Sequence, residues 1–179
     1  MLSVLHRMDP NVPLDNDTEM DLWRDSHLCE SYATSAAGLA LAALRRGFKA
    51  RIVADRPGIG FDRILKEHFP LIDMGMMRDL YDHTVSRARS FGIEEVFKDV
   101  GMDDIRSEIE RGILPIVMIS TALMDEDVPI PHWVIVFDVG PDVVEIANPE
   151  TAALERYPSE KFEASLGYQG YKAMVAVWR

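Results

Sequence analysis

The chain has 179 residues and a mass of 20.2 kDa, a size that suits one globular domain. Lys and Arg total 19 against 30 Asp and Glu, a formal charge of −11. Such acidity argues against nucleic acid or an anionic membrane as the main partner, because both select a basic face. The sequence holds one cysteine, Cys29, which excludes an intramolecular disulfide framework and a Cys-rich zinc site.

The sequence has no run of 18 apolar residues, the length that would suggest a membrane span. The first nine residues carry His6, Arg7 and Asp9, which is not the apolar run of a signal peptide. The expected location is cytoplasmic, and no cofactor and no metal are expected.

Met1, Val4, Leu5 and Met8 share one face at helical spacing, and Asp9-Pro10 ends the segment. Nothing caps its start, so it reads as the back end of a helix. Asn16, Asp17 and Thr18 offer an N-cap for a helix reaching about His27, with Leu22 and Trp23 on its apolar side. A helix from about Thr34 to Arg46 carries a narrow stripe of small residues. Arg45, Arg46 and Gly47 suit its C-terminus. Phe48 to Ala54 reads as a strand. Residues 61–69 suggest a short helix, Met74 to Phe91 a long one and Asp103 to Arg111 another. The last third changes character, with apolar, β-branched runs at Ile113–Ser120, His132–Val139, Asp142–Ala147 and Tyr171–Trp178, and a helix at Ser159–Leu166. Helices first and strands later predict an α+β domain, helices packed on a mostly antiparallel sheet.

Gly140-Pro141 separates two of these strands. A turn centred near Gly140 places His132 opposite Asn148, with Cβ atoms about 5 Å apart. An imidazole beside a carboxamide is how a catalytic base is held in one tautomer. The plainer reading has His132 starting a strand after Pro131 and Asn148 opening an Asn-Pro turn.

Several runs taken together resemble one family. They are Asp21-Leu22-Trp23-Arg24, Gly38 to Ile52 (GLALAALRRGFKARI), Gly112 to Ser120 (GILPIVMIS), Pro131-His132-Trp133-Val134 and Asn148-Pro149. They are similar to the papain-like cysteine peptidases related to the double-glycine leader peptidases that mature bacteriocins. The resemblance covers almost all of residues 1–179 as a single peptidase-like domain. It implies a papain-like fold, a peptide or protein substrate, His132 as general base and Asn148 as its orienting partner.

The family's nucleophile is a cysteine in a Cys-Gly-Pro sequence opening the first helix, with a glutamine upstream for the oxyanion hole. Neither precedes the first helix here. The resemblance therefore implies a domain cut at the start of its first helix, with the nucleophile before Met1, or a chain that has lost catalysis. Cys29 precedes the Thr34 helix and is the one substitute nucleophile. Against that role, it lies several residues before the first turn, and an inert thiol is the plainer reading. The alternative function is a catalytically inactive module that binds a peptide or partner in the same cleft. An amidase or acyl transferase would use the same residues, and the sequence leaves the oligomeric state open.

Weaker signals are set aside. Arg56-Pro57-Gly58-Ile59-Gly60 is similar to a phosphate loop but lacks the third glycine and the Gly-Lys-Ser/Thr ending. Asp125, Glu126 and Asp127 read as a solvated rim of a cleft rather than a cation site. His68 and His83 read as surface or boundary residues, and Trp133 as core.

Overall fold

The computed structural model describes residues 1–28, 33–60, 66–67 and 70–179. It divides into two compact units. The first comprises Met1–Ile52, Pro57–Val96 and Val177–Arg179, and the second Val53–Arg56 and Phe97–Ala176. Among the described residues no helix is long and apolar enough to cross a membrane.

The first unit is mainly helical. Helix α1 spans Leu2–Met8 and buries Val4 and Leu5, as its spacing predicts, and Asp9 ends it in extended conformation. Helix α2 spans Asn16–Ser26. Its cap is Asp15 rather than the Asn16–Thr18 group, because the Asp15 carboxylate reaches the Thr18 N–H at 2.8 Å. Leu22 is buried, whereas Trp23 lies outside and stacks on His27 at 4.6 Å between ring centroids.

The predicted helix start at Thr34 moves inward. Thr34 belongs to a two-residue ribbon, in which β1 (His27–Leu28) pairs antiparallel with β2 (Ala33–Thr34). Helix α3 then spans Ala36–Leu44, capped by the Ser35 hydroxyl on the Gly38 N–H. All nine of its residues are buried. It packs against α2 and against α4 (Met74–Ser90).

At its end, Arg45 and Arg46 both reach Asp25, at 2.6 and 2.8 Å, and Gly47 takes φ +81. A Cβ at Gly38 would run into the Ser26 carbonyl group. Gly38→Ala should therefore destabilise the fold by about 1–3 kcal/mol through overpacking, read as a lowered urea midpoint at unchanged slope. A midpoint equal to wild type would show that α2 and α3 separate freely.

Strand β3 (Lys49–Ala54) begins in this unit, and β4 (Glu94–Phe97), absent from the sequence reading, pairs with it. Most of the short helix expected at 61–69 lies outside the described residues; Lys66 and Glu67 are helical.

The second unit is a sheet with two helices. Its strands are β5 (Ile116–Ser120), β6 (Pro131–Val139), β7 (Val143–Asn148), β8 (Ala153–Pro158) and β9 (Ala173–Trp178), whose last two residues fall in the first unit. They run in the order β9-β5-β6-β7-β8, each neighbouring pair antiparallel. Helix α5 (Met102–Glu110) and helix α6 (Ser159–Ala164) complete the unit. Side chains from alternate positions, including Val134, Val136, Val144 and Ile146, form its core with Ile105 and Phe162. Strand β8 was also missed by the sequence reading. The mixed α+β architecture with a mostly antiparallel sheet is the predicted class.

Candidate active site

His132 enters at the start of β6, directly after Pro131. Two short tethers hold the approach. The Thr121 N–H donates to the Ile130 carbonyl at 3.0 Å, and the Ile130 N–H donates back to the Thr121 hydroxyl at 2.9 Å. The Tyr168 hydroxyl donates to the Pro129 carbonyl at 2.9 Å. Val128 and Ile130 remain exposed on this segment.

Asn148 is the last residue of β7 and is buried. The two are joined by a hydrogen bond of 3.0 Å between His132 Nε2 and Asn148 Oδ1. They are not directly opposite, as a turn centred at Gly140 would make them. Ile135 pairs with Ala147, so the ladder continued by one step puts Val134 across from Asn148. The difference arises because the turn closes later, with Gly140 N–H donating to the Val143 carbonyl; the register shift between Val136 and Asp138, which adds a residue to β6, takes back one step of it. His132 is therefore a diagonal neighbour on the same face, within reach of a long side chain.

The orientation of the Asn148 amide follows from its other partners. The Glu150 backbone N–H, which can only donate, lies 3.0 Å from Oδ1. Nδ2 lies 3.3 and 3.4 Å from the two oxygens of Glu155, which only accept. Nδ2 also approaches Met124 Sδ at 3.6 Å. Both ends of the amide are thereby assigned. Because Oδ1 accepts, His132 Nε2 donates, and Nδ1 keeps its lone pair. Such a ring can take a proton at Nδ1.

Glu155 is a residue the sequence reading missed. Its strand pairs Ile146 with Glu155 and Val144 with Tyr157, so both polar side chains share the face of Asn148. The signal was the alternation Ala153, Glu155, Tyr157 after the Asn148-Pro149 turn, which places a glutamate on an inward face. The Glu155 carboxylate accepts from the Thr151 hydroxyl at 2.6 Å and from the Tyr157 hydroxyl at 2.7 Å. Those two bonds, with smaller help from the Asn148 amide and the charge of His132, outweigh burial and hold the Glu155 carboxyl below the usual glutamate range. Burial, then the Glu155 carboxylate, pushes the Tyr157 hydroxyl up to about 12.

The depressed Glu155 pKa has a signed consequence. Its stabilising contribution is full above the ordinary glutamate value of 4.5 and is lost as pH falls through the lower folded value. Wild type should therefore exceed Glu155→Gln in melting temperature by a constant margin from pH 5 to 7. Below about pH 4 the margin should shrink. A margin that grows on acidification would contradict the assignment.

The remaining predicted residues are placed as follows. Cys29 lies outside the described residues, as does His68. His27 Nδ1 is hydrogen-bonded to the Arg24 carbonyl at 3.0 Å, and His83 is exposed on α4. Trp133 is half-buried on β6 and pairs with Met118. Asp125 is ion-paired with Lys161 at 2.8 Å. Arg56 reaches Asp55 and the Gly170 carbonyl, both at 2.6 Å, and stands over the Tyr171 ring. The Gly58 carbonyl accepts from the Tyr81 hydroxyl at 3.0 Å. These contacts tie the glycine loop into the fold.

The family model described as "Peptidase_C39 like family" matches residues 1–177. The chain belongs to that family. No curated protein and no solved structure matches it. Membership in the Peptidase_C39 like family makes this a peptidase-like protein.

Proposed function

We propose that this member of the Peptidase_C39 like family is a papain-like cysteine hydrolase in which His132 is the general base and Asn148 its orienter. One observation carries the reading: His132 Nε2 donates to Asn148 Oδ1 at 3.0 Å, which leaves Nδ1 to accept a proton. In the reaction a cysteine thiol loses its proton to Nδ1, and the sulfur attacks a peptide carbonyl carbon. The C–N bond then breaks, and the leaving amine takes the proton from Nδ1–H. Water, deprotonated by the same nitrogen, releases the acyl group and restores the thiol. Asn148 supports the charged ring without itself changing protonation. The reading requires a thiol to be supplied to this pair: the family's Cys-Gly-Pro sequence is not among these residues, and Cys29, their one cysteine, is a substitute candidate whose plainer reading is an inert thiol.

The similarity to double-glycine leader peptidases makes peptides containing Gly-Gly the first substrates to try. The test is incubation of the protein with such peptides and a random-sequence pool, followed by mass spectrometry of new termini. New termini that vanish in a folded His132→Ala variant support the proposal. Saturable peptide binding with no cleavage would replace it with the second reading, a non-catalytic peptide-binding module.

A further inference from the structure

Three adjacent strands each place one polar side chain on the same face: His132 from β6, Asn148 from β7 and Glu155 from β8. Glu155 does not touch the imidazole through any hydrogen bond found among the described residues. Of the pair, it reaches the far end of the Asn148 amide, with its two oxygens 3.3 and 3.4 Å from Nδ2.

A carboxamide can present either its oxygen or its nitrogen to a neighbour, and the two choices dictate opposite tautomers of a facing imidazole. With oxygen facing His132, Nε2 must carry the proton and Nδ1 is the base. With nitrogen facing it, Nε2 must accept, Nδ1 carries the proton, and the atom needed for general-base work is blocked.

We propose that Glu155 is a positioning residue that sets this choice: its carboxylate captures Asn148 Nδ2, turns Oδ1 toward His132, and so holds the ring as the Nε2–H tautomer. The inference rests on the catalytic reading above for its functional meaning, although the tautomer itself can be measured without it. Thr151 and Tyr157 serve the same end one step further out. Their hydroxyls donate at 2.6 and 2.7 Å to separate oxygens of Glu155. They satisfy the carboxylate and fix its plane, so that it presents acceptors and no donor to the amide. The Glu150 N–H on Oδ1 acts from the opposite end in the same sense. Asn148, Glu150, Thr151, Glu155 and Tyr157 all lie within the segment 148–157, a turn and its flanking strands.

The experiment is nitrogen NMR of the full chain with labelled histidine, which reports which ring nitrogen of neutral His132 carries the proton. Wild type is expected to show the Nε2–H form. Glu155→Ala removes the acceptor, and the ratio of Nδ1–H to Nε2–H should rise about tenfold or more, the size expected on losing one charge-assisted hydrogen bond. Glu155→Gln keeps an acceptor oxygen and should restore most of the Nε2–H form. A substitution that merely loosened the hairpin would not be rescued in this way.

An unchanged tautomer in a folded Glu155→Ala variant would overturn the proposal. If that variant does not fold, hydrogen exchange of the Asn148 carboxamide in wild type decides instead. Slow exchange relative to exposed asparagines is expected, and exchange as fast as theirs would overturn it. Failure of the catalytic reading is distinguishable, because peptide cleavage undiminished in His132→Ala would remove that reading while leaving the tautomer result intact.

Discussion

Phe162→Ala should lower the stability of the second unit by about 3–5 kcal/mol, the range for truncating a buried aromatic ring. The ring has no exposed surface and sits in the core with Ile105, Val134, Val144 and Ile146. It comes from α6, a helix of six residues that is too short to persist without tertiary packing. Losing the ring removes the main anchor of that helix. The Ser165 carbonyl, which follows α6, accepts from the Ser120 N–H at 2.8 Å, so β5 should loosen with it. Equilibrium unfolding in urea reads the loss directly. A change below about 1 kcal/mol would mean that the core closes over the vacancy, against the usual behaviour of such sites.

His132→Ala should reduce the rate of peptide cleavage by about 10²–10⁴-fold, the usual contribution of a positioned acid–base group. On the proposed reading, the substitution removes the atom that takes the proton from the thiol and returns it to the amine. Stability should change little in comparison, because His132 is half-buried at a strand end and its side chain is hydrogen-bonded, among the described residues, to Asn148 alone. Asn148→Ala should give a smaller kinetic loss, about 10²-fold, since it leaves the base but frees its orientation. That variant should also be less stable than His132→Ala, because it strands the Glu150 N–H. Equal rates for wild type and a folded His132→Ala would remove His132 from the chemistry.

Much of the helical architecture was legible in the sequence because its signals are local. The stripe of Val4 and Leu5, the Arg45-Arg46-Gly47 terminus and the long pattern from Met74 each depend on residues within a few positions of one another. Strands were harder. Strand β8, with Glu155 and Arg156 in a mixed pattern, gains its identity from pairing with β7 rather than from its own composition. The two-residue ribbon at His27–Leu28 and Ala33–Thr34 is likewise a product of pairing across a turn.

The pairing of His132 with Asn148 could be read from the Gly140-Pro141 break, but its register could not. The turn closes beyond Gly140, which removes direct opposition, and one added residue near Phe137 takes back a single step and leaves a diagonal contact on one face; a bulge leaves no mark in an apolar run. Glu155 was hidden for a different reason. A glutamate in a strand reads as solvent-facing until the turn at Asn148-Pro149 is known to reverse the chain and aim it inward.

The most direct test of the central claim is peptide hydrolysis in isotopically heavy water, comparing wild type with His132→Ala at matched fold. New C-termini carrying one heavy oxygen from the water are expected in wild type, with a yield at least about 10²-fold lower in the variant. Labelled termini produced equally by both proteins would contradict it, and so would their absence from both.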